Sequence, residues 1–135
     1  MAKKTLSNLK KDLWKVFALY IKMKYSTDYK QTRCFTCDMP LTIGTSNCQA
    51  GHYYTKKGYP ALYFNENNVR PQCYHCNINL SGNTVIFGER LEAEIGKQQM
   101  EHLKIIRHNS IKLMRSDYED KIQEYKMKIM DLDIL

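Results

Sequence analysis

Two cysteine pairs, Cys34-Phe35-Thr36-Cys37 and Cys73-Tyr74-His75-Cys76, enclose thirty-five residues. Each C-x-x-C presents two thiolates from one tight turn, and two such turns complete the tetrahedral four-sulfur site that zinc prefers. The segment between them must then close back on itself. Pairing as disulfides is opposed by three features: no apolar signal stretch opens the chain, Cys48 makes the count odd, and the spacing suits a metal. A structural zinc in a reduced, intracellular protein is the expectation, with Cys48 outside the ligand set.

Between and just after the pairs stand three further residues with chemistry. His52 lies in Gln-Ala-Gly-His-Tyr-Tyr, Asn68 in Glu-Asn-Asn-Val, and Asn77 directly follows the last cysteine. A histidine at the end of a strand can take a proton from water near neutral pH. An oxygen donor at the start of the following helix can hold a hard divalent cation.

The elements that must position these groups are short. From Asp38 to Gln72 the chain is rich in turn formers and tyrosines, with Met39-Pro40, Ile43-Gly44, Gly58, Pro60 and Pro71 breaking any helix. Strands are expected around Cys48–Tyr54 and Asn68–Cys73, with a loop over Thr55–Asn67. A short helix should follow Cys76 and stop at Ser81-Gly82-Asn83.

Ahead of the first pair, Leu6, Leu9, Leu13, Val16/Phe17, Tyr20 and Met23/Lys24 recur at helical steps between lysines, and Trp14 is read as part of the buried face. Thr5 or Ser7 can cap this helix, and Ser26-Thr27-Asp28 ends it. From about Glu89 the chain turns helical again, interrupted at Gly96 and at His108-Asn109-Ser110. Ile111, Met114, Tyr118, Ile122, Tyr125, Ile129 and Leu132 then step by threes and fours, close to a coiled-coil seam. That stripe needs a cover, either the first helix or a second copy of the chain.

At 135 residues the chain makes one domain, or a small domain with helical arms, and its central stretch alone is too short for a sizeable core without a metal. No apolar run approaches membrane-spanning length. The net charge of +7 is unevenly placed: residues 1–33 hold nine Lys/Arg against two Asp, while residues 34–88 and 89–135 are nearly balanced. A basic helical arm ahead of a metal-clamped knot suits a phosphate backbone. The three segments are thus a basic arm (1–33), a zinc-bound core (34–88) and a helical tail (89–135).

The stretches CFTC, QAGHYY, NENNVRPQCYHCN and LSGN, with the helix LWKVFALYIKMK before them, resemble the lambda NinG (Rap) family of phage recombination proteins over about residues 5–105. More distantly they are similar to recombination endonuclease VII and the HNH, or ββα-metal, nucleases. The resemblance implies an α+β fold: a small zinc-stabilised ββα-metal (HNH, His-Me finger) core flanked by an N-terminal helix and a C-terminal helical tail. It also implies a metal-dependent endonuclease acting on branched DNA, Holliday junctions included, in the cytoplasm or nucleoid of the host.

Carried over residue by residue, His52 is the general base, Asn77 the ligand for catalytic magnesium or manganese, and Asn68 a brace that orients His52. Cys34, Cys37, Cys73 and Cys76 hold the zinc. Lys10, Lys11, Lys15, Lys56, Lys57 and Arg70 are expected to meet DNA phosphates. One position departs from the pattern: many HNH nucleases place a metal-binding aspartate immediately before the histidine, where this chain has Gly51. Glu66 is the expected substitute carboxylate, ahead of Asp38, and His75 is expected at the surface. A homodimer through the tail would suit two symmetric cuts. Other readings stay open: a DNA-binding module with a decayed site, an adaptor for phage or host recombination proteins, or a sequence-specific HNH nuclease.

Overall fold

A computed structural model describes residues 3–134. The first helix, α1 (Leu6–Lys24), starts where the Thr5 hydroxyl accepts the Asn8 N–H at 3.1 Å, one of the orphan donors of a helix start. Its buried face is Leu9, Leu13, Phe17, Ala18, Tyr20 and Ile21, while Leu6 is exposed. Two small antiparallel hairpins follow: β1 (Gln31–Arg33) with β2 (Pro40–Thr42), and β3 (Gln49–His52) with β4 (Val69–Gln72). The expected strands are β3 and β4, trimmed at both ends. The β1–β2 hairpin was not anticipated; three-residue strands, one beginning at a proline, carry too little alternation to be read.

In the second hairpin Gln49 pairs with Gln72, Ala50 with Pro71, Gly51 with Arg70 and His52 with Val69. The Thr55–Asn67 loop contains the 3₁₀ turn Pro60–Leu62 and leads into another at Glu66–Asn68. The expected short helix is a single π turn, His75–Asn79, beginning before Cys76. α2 (Thr84–Ile106) starts earlier than expected and bends at Gly96, whose φ of 87° and ψ of 161° are open to glycine but strained for other residues. α3 (Arg115–Ile134) follows.

Three apolar clusters hold these pieces. α1 and α3 join through Leu9, Leu13, Phe17, Ile122 and Tyr125, which also cover Ala50 and Val69 on the second hairpin; Tyr118, Ile129 and Leu132 pack at the edge. The tail's stripe is therefore covered by the first helix, the first of the two alternatives, and the seam offered to a second copy is already filled. Ile111 and Met114 fall before α3 and are exposed. Leu62, Phe87, Leu91 and Leu103 pin α2 to the loop, and the cysteines gather around Leu41 in the third cluster. Among the described residues no helix is long and apolar enough to cross a membrane.

Candidate metal centre and the adjoining polar cluster

Each cysteine pair sits where a hairpin strand ends. Cys34 follows β1, and its N–H donates to the Met39 carbonyl at 2.8 Å while Asp38, at φ 65°, returns its N–H to the Cys34 carbonyl. Cys73 follows β4, where the Asn77 N–H donates to its carbonyl and the Cys76 N–H to its sulfur. The Phe35 N–H bonds the Pro71 carbonyl and so ties the first turn to β4. The four sulfurs of Cys34, Cys37, Cys73 and Cys76 lie within 4.8 Å of one another, and those of Cys37 and Cys73 are 3.8 Å apart. Tetrahedral zinc–thiolate bonds of about 2.3 Å place sulfurs about 3.8 Å apart. The donor set fits zinc.

Without a cation the thiols differ in acidity. Burial alone would raise the Cys34 thiol, but hydrogen bonds from Thr36 and the backbone outweigh it and lower it to about 7. Cys37 is pushed up to about 12 by burial and by its neighbouring sulfurs. A dication is what brings four crowded thiols to thiolates together. Cys48 is buried in the same cluster but stands outside the ligand group.

His52 closes β3. Its Nε2 lies 2.9 Å from the Tyr63 carbonyl, which can only accept, so Nε2 carries the proton and Nδ1 is the basic nitrogen. The ring stacks on Trp14 at 5.0 Å with 23° between planes, and Tyr63 meets it edge-on. Trp14, expected wholly within the core face, is half-buried and forms one wall of this site. Asn68 is fully buried and ties the loop together: Oδ1 accepts the Tyr54 N–H, and Nδ2 donates to the carbonyls of Tyr54 and Leu62, next in sequence to Tyr63.

Burial, with Lys56 adding to it, lowers the His52 pKa to about 4. The neutral ring is thus favoured in the folded state. Between about 6.5 and 4 the unfolded chain takes up a proton that the folded chain refuses. This part of the stability is complete above pH 6.5 and is lost as pH falls, by up to about 3 kcal/mol. Urea titrations at pH 7 and pH 4.5 should therefore show a smaller acid loss for His52→Gln than for the wild type.

Asn77, in the π turn, donates from Nδ2 to Gln49 Oε1 at 2.8 Å, and its Oδ1 faces Gly51, the residue before His52. Lys10 Nζ lies 4.5 Å from the Tyr63 ring centre and Lys56 Nζ 4.6 Å from that of Trp14. His52, Asn68, Lys10 and Lys56 therefore belong to one locality, and Asn77 lies against Gly51, the residue before His52. Lys11 and Lys57 are exposed, the latter beside Lys56. Lys15 lies on the α3 side of α1, in a groove with Asp12, Glu119 and Asp120.

Two expectations are corrected. Glu66 is no cation ligand beside Asn77: its carboxylate accepts from Tyr125 Oη and Lys128 Nζ, each at 2.9 Å, with Lys24 at 3.6 Å. Those partners override the effect of burial and hold its pKa below the usual carboxylate range, so Glu66 fastens the loop to α1 and α3. Arg70 is not a surface cation. Only 1% exposed, its guanidinium donates to Glu94 and to the carbonyls of Glu66 and Val69, over the rings of Tyr25 and Phe35. Arg70→Met should cost about 3 kcal/mol in denaturant unfolding and leave DNA affinity of the folded protein unchanged. Asp38 pairs with Arg90 at 3.0 Å, and His75 is exposed beside Asn79.

Tyr63, Gln49 and Gln72 complete the surroundings without a sequence expectation attached to them, and Trp14, expected on the buried face, serves both the core and the His52 stack. For Gln49 the signal was present: two residues before Gly51 on a strand, it shares that face.

A family profile described as "Bacteriophage Lambda NinG protein" matches residues 1–134. Protein ninG of Escherichia phage lambda is 32% identical over 99 residues, covering 73% of this chain and 47% of that protein. Protein ninG of Escherichia phage 933W is 30% identical over 99 residues, with the same coverage of 73% and 47%. That of Salmonella phage P22 is 29% identical over 99 residues, covering 69% and 47%. The chain spans about half the length of the curated relatives it matches. No solved structure matches it. A profile match across almost the whole chain, carrying the four-cysteine cluster with it, makes this protein a member of the bacteriophage lambda NinG family.

Proposed function

We propose that the chain is a metal-dependent endonuclease with an HNH-like core that cuts branched DNA during phage recombination. The observation that carries this reading is His52: a neutral imidazole with Nε2 fixed on a carbonyl, Nδ1 left free as acceptor, two lysines over the neighbouring Tyr63 and Trp14 rings, and the Asn77 amide oxygen against the preceding residue, Gly51. Such a ring accepts a proton without first having to lose one.

In the proposed reaction Nδ1 of His52 takes the proton of a water attacking a phosphodiester. The Tyr63 carbonyl and the Trp14 stack hold the ring in place, and Nε2–H stabilises the imidazolium through the same carbonyl. Asn68 keeps that loop in register. Lys10 and Lys56 neutralise flanking phosphates. Asn77 Oδ1 would hold magnesium or manganese, which when bound supplies charge stabilisation at the scissile phosphate and the departing 3′-oxygen. The four cysteines would hold zinc in a structural role, away from the reaction. Nothing resembles a major-groove recognition helix, so shape rather than base sequence should select the substrate.

The test is incubation of zinc-loaded protein with labelled four-way junction, linear duplex and single strand, with and without magnesium. Magnesium-dependent cutting of the junction, leaving a 5′-phosphate, supports the proposal. Binding without cutting would favour a DNA-binding module instead. Two symmetric cuts would need a two-fold through a face other than the filled α1–α3 seam.

Salt dependence checks the basic rim. Lys10→Gln and Lys56→Gln should each make log affinity for duplex arms shallower in log salt by about 0.9. Lys15→Gln, on the other side of α1 in a groove with three carboxylates, should leave the slope unchanged. Equal slopes for all three would remove Lys10 and Lys56 from the interface.

A further inference from the structure

Gly51 stands where many of the HNH nucleases that the sequence resembles carry a metal-binding aspartate, and the structure shows what fills that space. A Cβ on Gly51 would fall onto the carboxamide of Gln72, reaching over from β4, and would lie 3.1 Å from Asn77 Oδ1. Gln72 is fully buried, and its Oε1 is the one buried side-chain oxygen or nitrogen among the described residues with no hydrogen-bond partner. A buried acceptor left unpaired is costly, about 1–3 kcal/mol. Such an atom calls for an explanation.

The orientation of both amides is forced. Gln72 Nε2 donates to the Gly82 carbonyl at 2.9 Å and to Thr36 Oγ1 at 3.1 Å. A carbonyl cannot donate in return, so Oε1 must face the other way, toward Gly51. On the opposite side, Gln49 Nε2 donates to the Ser46 carbonyl, which turns Gln49 Oε1 toward Asn77 Nδ2. Asn77 Oδ1 is thereby turned toward Gly51 as well. One amide on one side and a pair of amides on the other, each anchored on a backbone carbonyl, deliver two oxygens to the space over Gly51, the residue before His52.

We propose that Gln72 Oε1 is a second protein ligand of the divalent cation held by Asn77, supplied from the partner strand in place of the absent aspartate. The proposal rests on the cation-dependent reading above and extends it. Gly51 is then glycine because any side chain would expel the Gln72 carboxamide. Two neutral amide oxygens, without a carboxylate, make a weak site for a hard cation, one completed by phosphate and water. Thr36 adds a link: its hydroxyl meets both Gln72 Nε2 and Cys34 Sγ, at 3.1 and 3.4 Å, so the cysteine cluster positions this ligand.

The experiment is manganese titration of the zinc-loaded full chain, with free ion read by electron paramagnetic resonance, alone and with four-way junction. The wild type should bind one manganese that magnesium displaces, and Gln72→Leu and Asn77→Ala should each weaken it at least about tenfold. Unchanged affinity in folded, zinc-loaded Gln72→Leu, with Asn77→Ala weakened, would overturn the role of Gln72 and leave the nuclease reading standing. A wild type that binds no manganese in either condition would sink the proposal, while junction cutting remains the separate test of that reading. Should Gln72→Leu fail to fold, carboxamide ¹³C shifts of the wild type decide. Magnesium should move the signals of both Gln72 and Asn77, and movement of Asn77 alone, or of neither, would overturn the proposal.

Discussion

His52→Ala should cut four-way junctions about 10²–10⁴-fold more slowly than the wild type in single-turnover assays, the usual loss on removing a general base. Because His52 is 8% exposed and stacked beneath Trp14, the alanine leaves a ring-sized gap, and some loss of stability must accompany the loss of rate. Two controls separate them. His52→Gln refills the gap and can still donate to the Tyr63 carbonyl, but has no basic nitrogen, so it should regain stability and stay slow. Added imidazole should raise the rate of His52→Ala by entering the slot between Trp14 and Tyr63, without affecting His52→Gln. Cutting by His52→Ala at the wild-type rate would remove His52 from the chemistry.

Asn68→Ala should behave differently. It strands the Tyr54 N–H and the Tyr54 and Leu62 carbonyls, so stability and rate fall together, and imidazole gives no recovery. That contrast distinguishes a group that takes the proton from one that holds the loop.

How far these assignments were legible depended on whether a residue's role lies in its spacing or in its surroundings. The cysteine pairs announce themselves because two thiols must leave one turn together, and the four sulfurs do converge. The tail's stripe announced a buried face but not its cover, since both α1 and a second copy satisfy the same period. Arg70 and Glu66 were misassigned for one reason: both lie close in sequence to Asn68, and nearness along the chain does not say what a side chain reaches. Arg70 sits opposite Gly51, yet Glu94 and two rings draw its guanidinium into the interior. Gln49 shows only by sharing the strand face of Gly51, and Gln72 carries no signature at all. An amide becomes informative only when both ends of its hydrogen-bond chain are known.

For the zinc proposed at the four cysteines, removal should have the largest effect on the fold. Apart from the four ligands, the cluster at the metal centre buries only Leu41 and Cys48, with Ile43 half-covered. So few methyl groups cannot offset the entropy of ordering two hairpin ends and two turns. Structural zinc sites contribute about 10–16 kcal/mol in small metal-folded peptides, as much as the whole net stability of an ordinary domain. Native mass spectrometry should therefore find one zinc per chain, and Cys73→Ser should lose it together with near-ultraviolet circular dichroism from the core. Far-ultraviolet helicity should fall less, because the α1–α3 seam is built from Leu9, Leu13, Phe17, Ile122 and Tyr125 and needs no metal. Cys48→Ser should keep its zinc, losing only what a buried hydroxyl costs, about 1–3 kcal/mol. The loss should also reach the polar cluster, since Thr36 and the Cys73–Asn77 turn hang on the same four sulfurs. Wild-type protein that stays folded after exhaustive chelation, with its near-ultraviolet spectrum intact, would show that the cysteines merely pack.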